Sequence, residues 1–230
     1  MKLLKSYTAA GALALAALAP GAANAAYGTG STDSTGVLVL NEGFGNVASL
    51  PGWTLVNNSD PAGSTWFQGN PDIFGAQSGA ANSYAAASFL GAANGQGMVD
   101  NWLITPVLSL SGLTNLSFYT AHEASPGFAD FLEVRWAPGS NGSTTGFSTL
   151  LTTFGGAGSP YPADWTQWRT DLNFQGEGRF AFRYVGNADS LNYIGLDTVR
   201  VVTAVPEPSL YVMLALGLGA LSFMRRKTLN

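Results

Sequence analysis

Phe131-Leu132-Glu133-Val134-Arg135-Trp136 puts Leu132, Val134 and Trp136 on one side of an extended backbone and Glu133 and Arg135 on the other. A strand sends successive side chains to opposite faces, so one apolar and one charged face describe a half-buried antiparallel strand. Arg179–Val185 repeats the pattern, with Phe180, Phe182 and Tyr184 opposite Arg179 and Arg183. Outward from these two, further short apolar runs read as strands: Val37–Leu40, Ser83–Phe89, Trp102–Thr105, Leu113–Ala121, Thr149–Phe154, Trp165–Leu172 and Tyr193–Val202. The segments 57–64, 91–97, 138–146, 155–164 and 186–192 are rich in Gly, Asn, Ser and Pro, which supply the backbone angles of turns. No sustained helical stripe occurs outside the two ends, and no internal repeat is present. Many short strands joined by such turns predict an all-β sandwich.

The chain has 230 residues, enough for one ordinary domain with processing segments. It contains no cysteine, which excludes a disulfide framework and thiolate metal sites. Its three lysines (Lys2, Lys5 and Lys227) lie in the end segments. Residues 26–205 carry five arginines and thirteen carboxylates, a formal charge of −8. A lysine-free acidic domain argues against nucleic acid and against anionic lipid surfaces as partners. It leaves spare carboxylates for a hard cation such as Ca²⁺.

Both ends read as export signals. In residues 1–25, Lys2 and Lys5 precede an apolar run, and Ala23-Asn24-Ala25 forms a small-x-small site for signal peptidase. Residues 26–36 are a polar lead-in. At the other end, Leu210–Met224 is an uncharged apolar helix candidate, short against the roughly 20 residues of a stable span. Arg225, Arg226 and Lys227 follow it and keep that end cytoplasmic, with the preceding domain outside; a retained single-pass anchor with a proline-rich linker is the alternative to a tail that is cut.

Pro206-Glu207-Pro208, the apolar stretch and the basic cluster, in that order, resemble a PEP-CTERM sorting tail over residues 204–230. The resemblance implies transient membrane insertion, recognition and removal by an exosortase, and delivery to the cell surface or an exopolysaccharide biofilm matrix. The two prolines hold residues 205–209 extended, a form that a protease takes as a strand. A second resemblance covers the domain. Asn41-Glu42-Gly43-Phe44, Leu50-Pro51-Gly52-Trp53, Asp100–Pro106, Asp130–Val134, Phe182–Gly186 and Gly195–Val199 follow one another as in cleaved-adhesin, or choice-of-anchor J, domains. That family implies a jelly-roll sandwich over residues 37–203, similar to MAM and galactose-binding-like domains, with adhesive or carbohydrate-associated roles. Its usual ending is Leu-Asp-Asp-Val; this chain has Thr198 in place of one carboxylate.

Asp197 shares a strand face with Val199 and Val201, and Glu42 shares one with Leu38 and Leu40. An ionised carboxylate facing a core needs a partner or a cation. Glu42 and Asp197, with Asp100 as a third candidate, would make a Ca²⁺ site of hard oxygen ligands; the competing arrangement is that each caps a turn or pairs with an arginine such as Arg200. The single histidine, His122, is read as a solvated strand end, and the chain has no Gly-x-Ser-x-Gly elbow or zinc-binding His pair. Glu123, Asp130 and Glu133 are the carboxylates that a glycosidase reading would need. Trp165, Trp168, Tyr161 and Phe128 are candidates for stacking on a sugar ring. The expectation is a non-catalytic, exported glycan-binding or adhesive module. A secreted carbohydrate-active hydrolase and a purely structural matrix component are the alternatives.

Overall fold

The computed structural model describes residues 36–156, 160–205 and Leu218. Ten strands carry the fold: β1 (Gly36–Glu42), β2 (Thr54–Asn57), β3 (Phe67–Gln68), β4 (Ala85–Ser88), β5 (Met98–Ile104), β6 (Leu108–His122), β7 (Leu132–Pro138), β8 (Thr149–Phe154), β9 (Thr166–Asn187) and β10 (Tyr193–Ala204). Every pairing is antiparallel. One layer holds β1, β10, β4 and β3 with β6; the other holds β2, β5, β7 and β8. The result is the expected jelly-roll sandwich. The end segments, with the apolar run 210–224 apart from Leu218, lie outside the described residues, and no described helix is long and apolar enough to cross a membrane.

The long strand β9 joins the layers. Its first half pairs with β6 from Thr166 to Gly178, and its second half pairs with β5 and β7. By pattern alone, 165–172 and 179–185 are two separate strands. The chain instead bends without leaving the ladder, because Gly176 takes a φ of +124° that only glycine adopts freely. A strand that changes sheets at such a corner is how a sandwich closes. The strands β2 and β3 are too short and mixed to show as periodic runs.

The predicted apolar faces of β7 and the second half of β9 are inward, but β9 is covered on both sides there: Arg179 and Ala181 are buried too, and Arg179 Nε donates to the Thr105 carbonyl at 2.7 Å. Leu132, Val134 and Trp136 are buried, as are Phe180, Phe182 and Tyr184. Phe118 of β6 meets Phe182 and Phe154 edge-on at 5.1 and 5.7 Å, so aromatic rings from both layers fill the middle of the core. In β1 the alternation slips. Leu38 lies opposite Val202, and Leu40 lies opposite Val201, with a bulge between them. Leu38 therefore faces outward and does not share the inward face of Leu40 and Glu42.

Candidate functional site

The recess begins at the ends of β1 and β10. Glu42 lies opposite Val199, two residues from Asp197. Between Asp197 and Arg200 the β10 ladder is irregular, and Thr198 sits at φ +50°, a left-handed conformation that a β-branched residue rarely accepts. Strain of this kind concentrates where a side chain is re-aimed for function. The bulge turns Thr198 onto the wall of an open recess of about 300 Å³, together with Asn41, Glu42, Ser78 and Ser83.

Asp197 is completely buried. Its Oδ2 accepts from the Ser78 amide at 3.0 Å, and its Oδ1 accepts from the Thr198 amide at 2.5 Å and the Thr198 hydroxyl at 3.2 Å. Arg200, the alternative partner, is exposed on the other face. Burial raises the pKa of Asp197; the backbone amides of Ser78 and Thr198 act in the opposite direction without cancelling it. Asp197 is not itself on the recess wall. It fixes two residues that are, Ser78 and Thr198. Glu42 is on the wall, its Oε1 held by the Phe44 amide at 2.7 Å.

Asp100 is elsewhere. It lies on β5, where it accepts from Arg183 Nε and Trp102 Nε1, both at 2.6 Å. Arg183 also donates to Glu133 at 3.0 Å and packs over the Trp102 ring at 5.0 Å. Burial alone would raise the Glu133 pKa, but the hydrogen bonds and charges of Arg135 and Arg183 outweigh it and hold it below its usual value. Glu133 is thus a paired residue rather than a solvated one.

His122 is also paired. Its Nδ1 lies 3.0 Å from Asp130 Oδ2, and its ring packs against Tyr161. Asp130 Oδ1 accepts from Tyr184 and, at 2.8 Å, from the Asn192 amide. Of the three carboxylates in the glycosidase reading, Asp130 is therefore buried and Glu133 is neutralised, while Glu123 accepts from Asn192 at 3.1 Å.

Residues 37–201 match the family model described as the cleaved adhesin domain. The chain belongs to the cleaved adhesin family. The K1 cleaved adhesin domain of Lys-gingipain from Porphyromonas gingivalis W83 is 26% identical, covering 73% of this chain and 99% of that one, with a TM-score of 0.57. The K3 domain of the same protein is 25% identical over the same shares, with a TM-score of 0.55. No curated protein matches the chain. A second model, the PEP-CTERM protein-sorting motif, matches residues 204–227, which implies export, cell-surface sorting and exosortase processing.

Within the cleaved adhesin domain the four candidate stacking aromatics are placed differently. Phe128 is 43% exposed, in the loop after β6. Tyr161 is buried, its hydroxyl 2.5 Å from that of Thr120. Trp168 is half-buried against Phe118 and Phe154. Trp165 is half-buried on the other face, edge-on to Phe74 and Tyr84, and donates to the Gly75 carbonyl at 2.8 Å. The processing residues Ala23, Ala25, Pro206, Glu207, Pro208, Arg225, Arg226 and Lys227 lie outside the described residues. Ser78 and Ser83 had no signal in the sequence, because the loop that carries them meets β10 more than a hundred residues later.

Proposed function

We propose that this protein is an exported surface module that binds extracellular polysaccharide or surface glycan without catalysis. The observation that carries the reading is continuity: an adhesin domain over 37–201 leads directly into a sorting motif over 204–227. Phe128 is the open aromatic among the stacking candidates, and the carboxylates a hydrolase would use are engaged with protein groups. A panel of immobilised polysaccharides and surface glycans tests the reading. The expected result is saturable binding to at least one member with no reducing sugar released. Release of reducing ends favours the hydrolase, and binding to no member favours a structural matrix component.

A structural Ca²⁺ belongs to the same proposal. Glu42 lines the recess together with Asn41, Gly43, Gly45 and Ser83, residues that carry the hard oxygen donors Ca²⁺ takes. Asp197 behind them is a buried carboxylate hydrogen-bonded only by neutral donors. The residues fit a hard cation, although the described residues contain no cluster of three acidic or histidine ligands. Ca²⁺ at a hundredfold excess over its Kd adds about 2.7 kcal/mol, which raises the melting temperature of a domain this size by roughly 5–10 °C over chelator. Glu42→Gln removes that increment. An identical melting temperature in Ca²⁺ and chelator eliminates the site.

A further inference from the structure

The two ends of the described domain leave it side by side. Gly36 pairs with Ala204, and one step on, Thr203 pairs with Thr114 of β6. Leu113, the next residue of β6, is therefore level with Ala204, and it pairs with Asn173 of β9. Two rows inward, Leu38 pairs with Val202. Thr114 and Thr203, in the row between, point into the core, so Leu113, Ala204, Leu38 and Val202 share the outer face. Leu113 is 58% exposed, Leu38 47% and Val205, just beyond the strand, 56%. These exposed apolar side chains form one corner, at the point where the sorting tail begins.

The same face changes character further up. Arg200 pairs with Asn41 on one side and Ser117 on the other, and Ser117 pairs with Arg169. Both arginines are exposed on this outer face. They lie about four residues from the corner, which is roughly 13 Å along the strands. The one carboxylate in the intervening rows, Asp171, accepts from Asn115 at 2.8 Å. At that height the arginines stand above the polar layer of a bilayer, so the apolar corner is the part of this face that would meet a phospholipid interface.

Chain length adds an independent argument. Only residues 205–209 separate β10 from the apolar run that begins at Leu210. Five residues reach at most about 18 Å when fully extended. The polar layer on each side of the bilayer hydrocarbon is roughly 5–8 Å thick. While the tail is in the membrane, the Leu113 corner cannot stand far from the headgroups.

We infer that the Leu38, Leu113 and Val205 corner docks on the phospholipid surface while the tail is uncut. This rests on the membrane-inserted reading of residues 210–224. Docking fixes the tilt of the domain and presents residues 205–209 at the depth of the membrane-embedded processing enzyme. It also turns the opposite end, with Phe128, away from the membrane. Leu113 and His122 are nine residues apart on β6, so the corner lies roughly 30 Å from the end that carries Phe128.

The chain has no cysteine, so a single introduced thiol gives one labelling position. The tail-retaining chain is reconstituted in phosphatidylcholine vesicles that carry a nitroxide on the headgroup, with a fluorophore on Leu113→Cys, Leu38→Cys or Phe128→Cys. All three positions are exposed, and melting temperatures equal to the parent verify the fold. The expected result is flotation with the vesicles and severalfold stronger quenching at positions 113 and 38 than at 128. Flotation with equal quenching at all three, or with the corner shielded by a second copy of the chain, overturns the docking and leaves the sorting tail intact. Failure to float overturns both.

Discussion

Asp130→Ala lowers the melting temperature by roughly 10 °C. The Asp130 carboxylate is buried and holds three partners from separate parts of the chain: His122 at the end of β6, Tyr184 in β9 and the Asn192 amide before β10. Its removal leaves a buried phenol, and a half-buried amide and imidazole, without their acceptor. Losing one member of such a buried network costs about 3–5 kcal/mol, a large part of a typical domain's 5–15 kcal/mol. Burial, and then the Asp130 charge, keep the Tyr184 phenol well above its ordinary pKa, so it remains a donor across the working pH range. Asp130→Asn keeps an acceptor for Tyr184 and Asn192 and should lose less. Thermal melting of both variants is the measurement. An alanine variant that melts with the parent would mean that water replaces the carboxylate.

The second large effect comes from Gly178→Ala, at the point where β9 passes between layers. A Cβ there would lie 2.0 Å from Cη2 and 2.2 Å from Cζ2 of Trp136, and 3.0 Å from the Ala137 carbonyl. The indole cannot retreat, because Phe180 packs on it at 4.6 Å and Phe174 at 5.3 Å. Overpacking a rigid ring costs about 3 kcal/mol. Trp136→Leu creates space at its own cost, so the double variant should lose less than the sum of the two singles. Denaturant unfolding of all four proteins reads the coupling, and strict additivity would show that the indole and Gly178 do not compete for that volume.

Much of the fold was legible because alternation reports burial directly. Leu132, Val134 and Trp136 faced the core as expected, and Phe180, Phe182 and Tyr184 did the same. Legibility failed where backbone geometry broke the period. The bulge in β1 sent Leu38 outward, and a left-handed Gly176 let two apparent strands continue as one. The site was legible only in part. Asp197 and Glu42 could be placed on inward faces, and the structure brings them to neighbouring positions on paired strands. The Ser78 loop could not be assigned, since its contact with Asp197 spans 119 residues and has no local pattern. Asp100 and Glu133 looked available because their partner, Arg183, lies 83 and 50 residues away. His122 looked solvated for the same reason: its neighbours Asp130 and Tyr161 arrive from other segments.

The position of β10 has a mechanical consequence. It runs from the Phe128 end of the sandwich to the tail, and along its length it is bonded on one side to β6 and on the other to β4 and then β1. Tension between the Phe128 end and a tail held at the near end would act along this strand, across its hydrogen bonds. Those bonds are strained together, in shear, and must fail as a group. Tension between the lead-in and the tail would pull on Gly36 and Ala204 directly and peel their ladder one pair at a time. The domain would therefore resist a pull between its Phe128 end and its tail more strongly than a pull at its own two ends.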